Sequence, residues 1–350
     1  MNSGGSHPVR ILEHAYDQRV SNSLLEVSGR ISNVHQEHGR DRRERSVVGM
    51  TNINKTVVVL GATGQQGGSV AAALRADGWG VRAVVRDPFG HRARSLSAVG
   101  VETVRGDLGD PESLRAAFSG AHGVFSVQPN SGQAGAGVTD EDEVRFGAAV
   151  AEIAERCGVA HLVYSSAVTA GSTTGVDHLD TKSRIEAHVR NLDIAGTIIR
   201  PATFMELLVT PEMGLDRGHL SFLMRPDQAM QFIAVRDIGR IVAVVFGSPD
   251  RYAGRTMAIA GDALTGNALA ENLTRAVGRT ISYSRLPAQN EVLGKLEALV
   301  DDGRLAGKAN LDALRAEFPF LLRFDRWLAG PGAGLLDEAL RSLDTGIAPR

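Results

Sequence analysis

Apolar residues in this chain fall into short β-branched runs separated by stretches of helical character. Thr56-Val57-Val58-Val59-Leu60 is apolar almost throughout and closes on Gly61, the pattern of a strand buried on both faces. A helix is expected over residues 67–76, ending at Asp77-Gly78. Further strands are expected at residues 81–85, 101–104, 124–127, 160–164 and 197–199, and further helices at 91–98, 111–118, 141–156 and 181–191. Asp110-Pro111 supplies an N-cap side chain and a proline at the first helical position. Six short strands alternating with helices predict an α/β fold, a doubly wound parallel sheet with right-handed crossovers.

After Pro201 the rhythm weakens. Strands are expected at 233–235 and 257–259 and helices at 237–246 and 269–277; from 292 the pattern is mostly helical, broken by Gly330-Pro331-Gly332. The expected division is a core over residues 51–200 and a smaller C-terminal α/β lobe over 201–350, lying on the C-terminal edge of the sheet and contacting substrate or partner. Residues 1–50 hold seven Arg and four of the ten His, with no bounded strand. A disordered or loosely helical extension is the expectation there. A partner-binding arm and a natural start at Met50 are the alternatives.

Composition narrows the function classes. The chain has 350 residues, 43% hydrophobic and 22% charged, with net charge -2. No direct nucleic-acid binding through bulk positive charge is expected. Cys157 stands alone, which excludes a disulfide framework and a cysteine-cluster metal site; no metal is expected, and Cys157 reads as a small hydrophobe. A reducing, cytoplasmic setting is the default. No apolar stretch approaches the ~20 residues of a membrane span. Of the 38 basic residues only four are Lys: Lys55, Lys182, Lys295 and Lys308.

Candidate chemistry concentrates after the first strand. Gly61-Ala62-Thr63-Gly64-Gln65-Gln66-Gly67-Gly68 carries three spaced glycines between a strand and a helix. Gly61 permits the tight turn, Gly64 lets backbone approach a pyrophosphate, and Gly67 lets the helix pack close. The helix start then offers N–H groups to phosphate. In that context the loop reads as a dinucleotide cradle rather than a plain turn. Arg86 stands 19 residues after Gly67, at the end of the second strand, where an acidic residue would select NAD. An Arg suits a ribose 2′-phosphate, so NADP(H) is the expected cofactor; the alternative is a solvated strand-end charge. Asp87 follows and weakens the discrimination. Asp107 and Leu108, after the third strand, are placed beside the adenine, or in an ordinary turn. Gln128, Pro129 and Asn130 end the fourth strand and flank the ribose and nicotinamide.

Several segments together resemble the NmrA-like family, an atypical branch of the short-chain dehydrogenase/reductase superfamily with a Rossmann sheet. They are Val59-Leu60-Gly61-Ala62-Thr63-Gly64, Arg86, His178-Leu179-Asp180-Thr181-Lys182, Ile199-Arg200-Pro201-Ala202-Thr203-Phe204-Met205-Glu206 and Ile233-Ala234-Val235-Arg236-Asp237-Ile238-Gly239. Phe318-Pro319-Phe320-Leu321-Leu322, Phe324 and Trp327 look like the family's closing helix. The likeness spans about residues 55–330. It implies an NADP(H) site in which Thr203, Phe204 and Met205 line the nicotinamide side. The family often has Asn after the Met-Glu pair, and this chain has Leu207.

The resemblance implies a cofactor more firmly than a reaction. Some members resemble NADPH-dependent quinone or enone reductases; others look like redox sensors that regulate a protein partner. The wider superfamily uses Tyr-x-x-x-Lys, and here His178 stands four residues before Lys182, on one helical face. Lys182 suits a ribose diol, or is a surface lysine. His178 suits proton donation near neutral pH, or is a hydrogen-bonded helix-start histidine. Ser165 and Ser166 are substrate-polarising hydroxyls or strand-end polar residues, and Tyr164 packs in the sheet. The reading is an NADPH-dependent oxidoreductase passing hydride to a small carbonyl, enone or quinone, its exact substrate unknown. The alternative is a non-catalytic NADP(H) sensor with a protein partner.

Overall fold

A computed structural model describes residues 55–133 and 137–341; the extension expected at 1–50 lies outside the described residues. The chain folds as β1 (Thr56–Val59), α1 (Gln65–Ala76), β2 (Gly80–Val85), α2 (His91–Ala98), β3 (Glu102–Arg105), α3 (Pro111–Phe118), β4 (Gly123–Ser126), α4 (Asp140–Arg156), β5 (His161–Ser165), α5 (Asp177–Arg190) and β6 (Gly196–Pro201). It continues as β7 (Thr203–Phe204), β8 (His219–Phe222), β9 (Ala229–Ile233), α6 (Val235–Gly247), α7 (Pro249–Tyr252), β10 (Thr256–Ile259), β11 (Asp262–Thr265), α8 (Gly266–Val277), β12 (Ser282–Arg285), α9 (Glu291–Asp301), α10 (Leu311–Glu317), α11 (Phe324–Leu328) and α12 (Ala333–Arg341).

The main sheet is parallel, in the order β10-β6-β5-β4-β1-β2-β3. Alternation along β1 shows why it is apolar throughout. Val57 and Val59 face a core that includes Val70, Leu74, Ile238, Val242 and Phe246 of α1 and α6. Val58 and Leu60 face Leu114, Phe118, Val150 and Ile185 of α3, α4 and α5. Both faces are covered by helices, as a parallel sheet requires. The strand order reverses between β1 and β4, which makes their C-terminal ends the topological switch point where ligands of such sheets bind.

The second half of the chain returns to this sheet. β10 pairs with β6 through Thr256↔Ile198 to Ile259↔Pro201 and becomes the seventh strand, so the strand expected at 257–259 belongs to the main sheet rather than to the C-terminal lobe. The strand expected at 233–235 lies instead at Ala229–Ile233, and Val235 already opens α6. The reason is a distant partner: the buried Glu206 carboxyl, 29 residues earlier, accepts the Val235 N–H, one of the donors a helix start leaves unpaired. The helix expected from 181 begins a turn earlier, at Asp177. A separate core holds the remaining lobe together, with Met205, Leu220, Phe222, Phe232, Leu269, Phe324 and Trp327 among its residues.

Candidate functional site

The loop from β1 to α1 is built by close backbone approach. Gly61 has φ of 63°, and Gly64 N donates to Gly61 O at 2.9 Å. A Cβ on Gly67 would stand 2.3 Å from Gly61 O, so only glycine lets α1 start there. Gly64 is the N-cap of α1 and offers no side-chain cap, and the first turn has no acidic residue. The N–H groups of that turn are therefore left for an anion. Ala62 is buried, Thr63, Gln65 and Gln66 are half-buried, and Gly64 is exposed. Ser165 Oγ donates to Gln66 Oε1 at 2.7 Å, tying the end of β5 to this loop.

Arg86 is exposed at the end of β2, and no hydrogen bond or ion pair engages it among the described residues. The neighbouring carboxylate is occupied locally: Asp87 Oδ1 accepts from Phe89 N at 2.9 Å. Asp107 likewise closes its own turn by accepting from Gly109 N at 2.7 Å, and Leu108 is half-buried. These two loops leave adjacent strands, because Val85 pairs with Arg105.

At the switch point, Gln128 is 4% exposed. Its Nε2 donates to Ser126 Oγ at 2.8 Å, while Oε1 is buried with no partner. An orphaned acceptor in a crevice costs free energy until a donor arrives, so this atom suits a ligand hydroxyl or amide. Pro129 and Asn130 are half-buried beside it. A Cβ on Gly132 would lie 3.1 Å from Asn130 Oδ1 and from two ring carbons of His178. The 129–133 loop therefore rests on the first turn of α5.

Lys182 is buried, and its ammonium donates to Glu143 Oε1 of α4. Thr181 Oγ1 donates to Glu143 Oε2 at 2.8 Å. Burial pushes the Glu143 carboxyl up from its ordinary range, opposed by Lys182 and by the hydrogen bonds. Glu143 escaped notice as one of an acidic run at a helix start. The available signal was periodicity: Glu143, Phe146, Gly147 and Val150 share the inward face of α4. Burial, then the Lys182 charge, lowers the His178 pKa from its usual 6.5, so His178 is chiefly the neutral imidazole at pH 7.

The strand-end residues beside this pair are engaged too. Ser166 Oγ donates to Glu186 Oε1 at 2.6 Å, and Arg200 grips the Glu186 carboxylate with both Nε and Nη2. Tyr164 is buried in the sheet with its hydroxyl unpartnered, and burial followed by Glu143 and Glu186 raises its pKa. Thr203 and Phe204 are half-buried after β6, whereas Met205 is fully buried in the lobe core and offers the crevice no side-chain surface. Cys157 is half-buried at the end of α4. Among the described residues no group of three or more His, Cys, Asp or Glu could hold a metal ion, and no helix is long and apolar enough to cross a membrane.

Residues 53–310 match the model of the NmrA-like family. The chain belongs to that family. An NmrA-like oxidoreductase, FrzB of Cladobotryum sp., is 33% identical to it over 229 residues, covering 57% of this chain and 67% of FrzB. The NAD(P)H azoreductase of Xenophilus azovorans is 28% identical over 227 residues, covering 65% and 76%. Among solved structures, NmrA, a negative transcriptional regulator in complex with NADP, superposes with a TM-score of 0.68 at 22% identity, covering 84% of this chain and 99% of NmrA. The NmrA-like chain thus shares its fold with a regulator and its sequence with enzymes.

Proposed function

We propose that this NmrA-like chain is an NADPH-dependent oxidoreductase acting on a small carbonyl, enone or quinone. The observation that carries the reading is the pairing of a glycine-only cradle at an uncapped helix start after β1 with a buried lysine, Lys182, on α5, which follows β5, two strands away in the sheet. Relatives named as an oxidoreductase and as an NAD(P)H azoreductase, and a fold neighbour solved with NADP, support it. Bound NADPH would supply a hydride to an electrophilic carbon.

The chain's own residues do the rest. The Gly61–Gly68 backbone and the first turn of α1 receive the pyrophosphate. Arg86 receives the 2′-phosphate through charge-assisted hydrogen bonds. Asp107 and Leu108 border the adenine; Gln128, Pro129 and Asn130 border the ribose and nicotinamide, with Gln128 Oε1 accepting from a ligand donor. Glu143 takes one of the three Lys182 donors and leaves the others for the ribose diol. His178, neutral at pH 7, orients a substrate oxygen or a water, and the water carries the proton. Thr203 and Phe204 wall the nicotinamide side, and the lobe built around Leu220, Phe222, Phe232 and Leu269 covers the substrate. Steady NADPH consumption with a panel of quinones and enones, lost in Lys182→Ala, tests this. A chain that binds NADPH tightly and turns over none of the panel would favour the other reading.

That second reading is a redox sensor. It is favoured by the residue four positions before Lys182: a neutral His178 is a weak proton donor where the superfamily has Tyr. Binding of a protein partner to only one of the NADP+ and NADPH forms would support it.

A further inference from the structure

Phe89 is out of keeping with the rest of the surface. Among the described residues three large hydrophobic side chains are exposed: Phe89 at 83%, Val99 at 41% and Val292 at 37%. An aromatic ring displayed that fully has its face free to stack on a ligand.

Its exposure is built in by the loop that carries it. Asp87 Oδ1 accepts from Phe89 N at 2.9 Å, and Gly90 N donates to Asp87 O at 3.2 Å. The turn is therefore closed on both sides of the ring, with Arg86 at its start and Pro88 within it. β2 and β3 lie side by side, and Gly106 N donates to Val85 O at 3.0 Å. The loop bearing Phe89 and the loop of Asp107 and Leu108 therefore leave adjacent strands at the same end of the sheet. Each loop is held by its own carboxylate. Arg86, a cation with no partner among the described residues, opens the loop that carries Phe89. A flat, apolar-faced group attached to a phosphate fits such a setting: the ring stacks on Phe89 while the phosphate meets Arg86.

We propose that Phe89 is the stacking platform for the adenine ring of NADP(H), and that with Arg86 it forms the 2′-phosphoadenosine subsite. This rests on the NADP(H) reading above and adds a residue that neither sequence motif nor loop position assigned. Base–aromatic stacking of this kind is sequence-tolerant and worth about tenfold or more in affinity when the ring is truncated to alanine.

The test uses the full chain with Phe89→Ala and Phe89→Trp, and 2′,5′-ADP as the probe, with NADPH and reduced nicotinamide mononucleotide beside it. Phe89→Ala is expected to weaken 2′,5′-ADP and NADPH by the same factor, about tenfold or more, and to leave the mononucleotide unchanged. Both native tryptophans, Trp79 and Trp327, are buried. Phe89→Trp therefore adds a surface indole whose emission reports stacking; it is expected to keep near wild-type affinity and to be quenched as 2′,5′-ADP saturates. If the wild type binds 2′,5′-ADP and Phe89→Ala binds it equally well, the platform is refuted while the NADP(H) reading stands. An indole that is unaffected at saturation refutes it also. If the wild type binds neither 2′,5′-ADP nor NADPH, both fall together.

Discussion

Gly67→Ala is the sharpest perturbation the phosphate loop offers. The added Cβ would sit 2.3 Å from Gly61 O, 2.4 Å from Gly61 C and 2.7 Å from Ala62 N. Ordinary contacts are about 3.5 Å, and all three atoms are backbone, so no side chain can swing away. The loop and the start of α1 must separate by about 1 Å. An N–H···O bond at about 2.9 Å would then stretch to nearly 4 Å, beyond useful range. Hydrogen bonds to charged groups are worth about 1.5–3 kcal/mol each. Losing two weakens NADPH binding by at least about 3 kcal/mol, or roughly 200-fold. The same overpacking costs about 1–3 kcal/mol of stability. Calorimetric titration with NADPH, alongside a urea melt, reads both quantities. Gly64→Ala is the control for stability. Its Cβ would meet Gly61 O at an ordinary 3.4 Å, with φ already at -102°. A folded Gly67→Ala protein that binds NADPH as tightly as wild type would refute the close-approach argument.

The remaining predictions concern buried charge. Glu143→Ala leaves the Lys182 ammonium buried without its partner and should cost about 3–5 kcal/mol; adding Lys182→Met should recover much of the loss in a denaturant melt, and no recovery would mean that the pair does not stabilise the α4–α5 contact. Glu206 is buried, and burial raises its pKa from 4.5 to about 7 despite the N–H hydrogen bonds it accepts. The folded state then holds a proton that the unfolded state releases above about 4.5, so this group's contribution to stability is present at low pH and is lost as pH rises towards 7. Glu206→Gln should therefore gain stability relative to wild type between pH 5 and pH 8, and a pH-independent difference in melting would contradict the assignment. Because burial and Lys182 depress the His178 pKa, His178→Asn should retain activity within a few-fold at pH 7.5, and the wild-type profile should show no inflection near 6.5; a collapse of turnover at pH 7.5 would instead identify His178 as the proton donor.

Where the sequence was informative, the cause of structure was local. The cradle, Arg86 and the Asp110-Pro111 cap each depend on neighbours within a few residues, and α2 and α3 begin and end where their residues dictate. The misplaced strand and the seventh strand depend on distant partners. β9 is fixed by β11 and β7, and β10 by β6, more than fifty residues earlier. Glu143 looks like any first-turn acid until α4 packs on α5 and brings it to Lys182. Phe89 escaped for the opposite reason: its meaning lies in the absence of covering atoms, and periodicity cannot register that. The orphaned Gln128 Oε1 is likewise visible only once Ser126 has claimed the other end of the amide.

The central claim is that the switch-point crevice binds NADP(H), with Arg86 reading the 2′-phosphate. Calorimetric titration of NADPH, NADP+, NADH and NAD+ into wild type and Arg86→Ala tests it most directly. The account predicts that the phosphorylated forms bind more tightly to wild type, and that Arg86→Ala selectively weakens them, by about tenfold or more for a lost charge-assisted contact. Equal affinity for all four nucleotides, or no nucleotide binding by the wild-type chain, would contradict it.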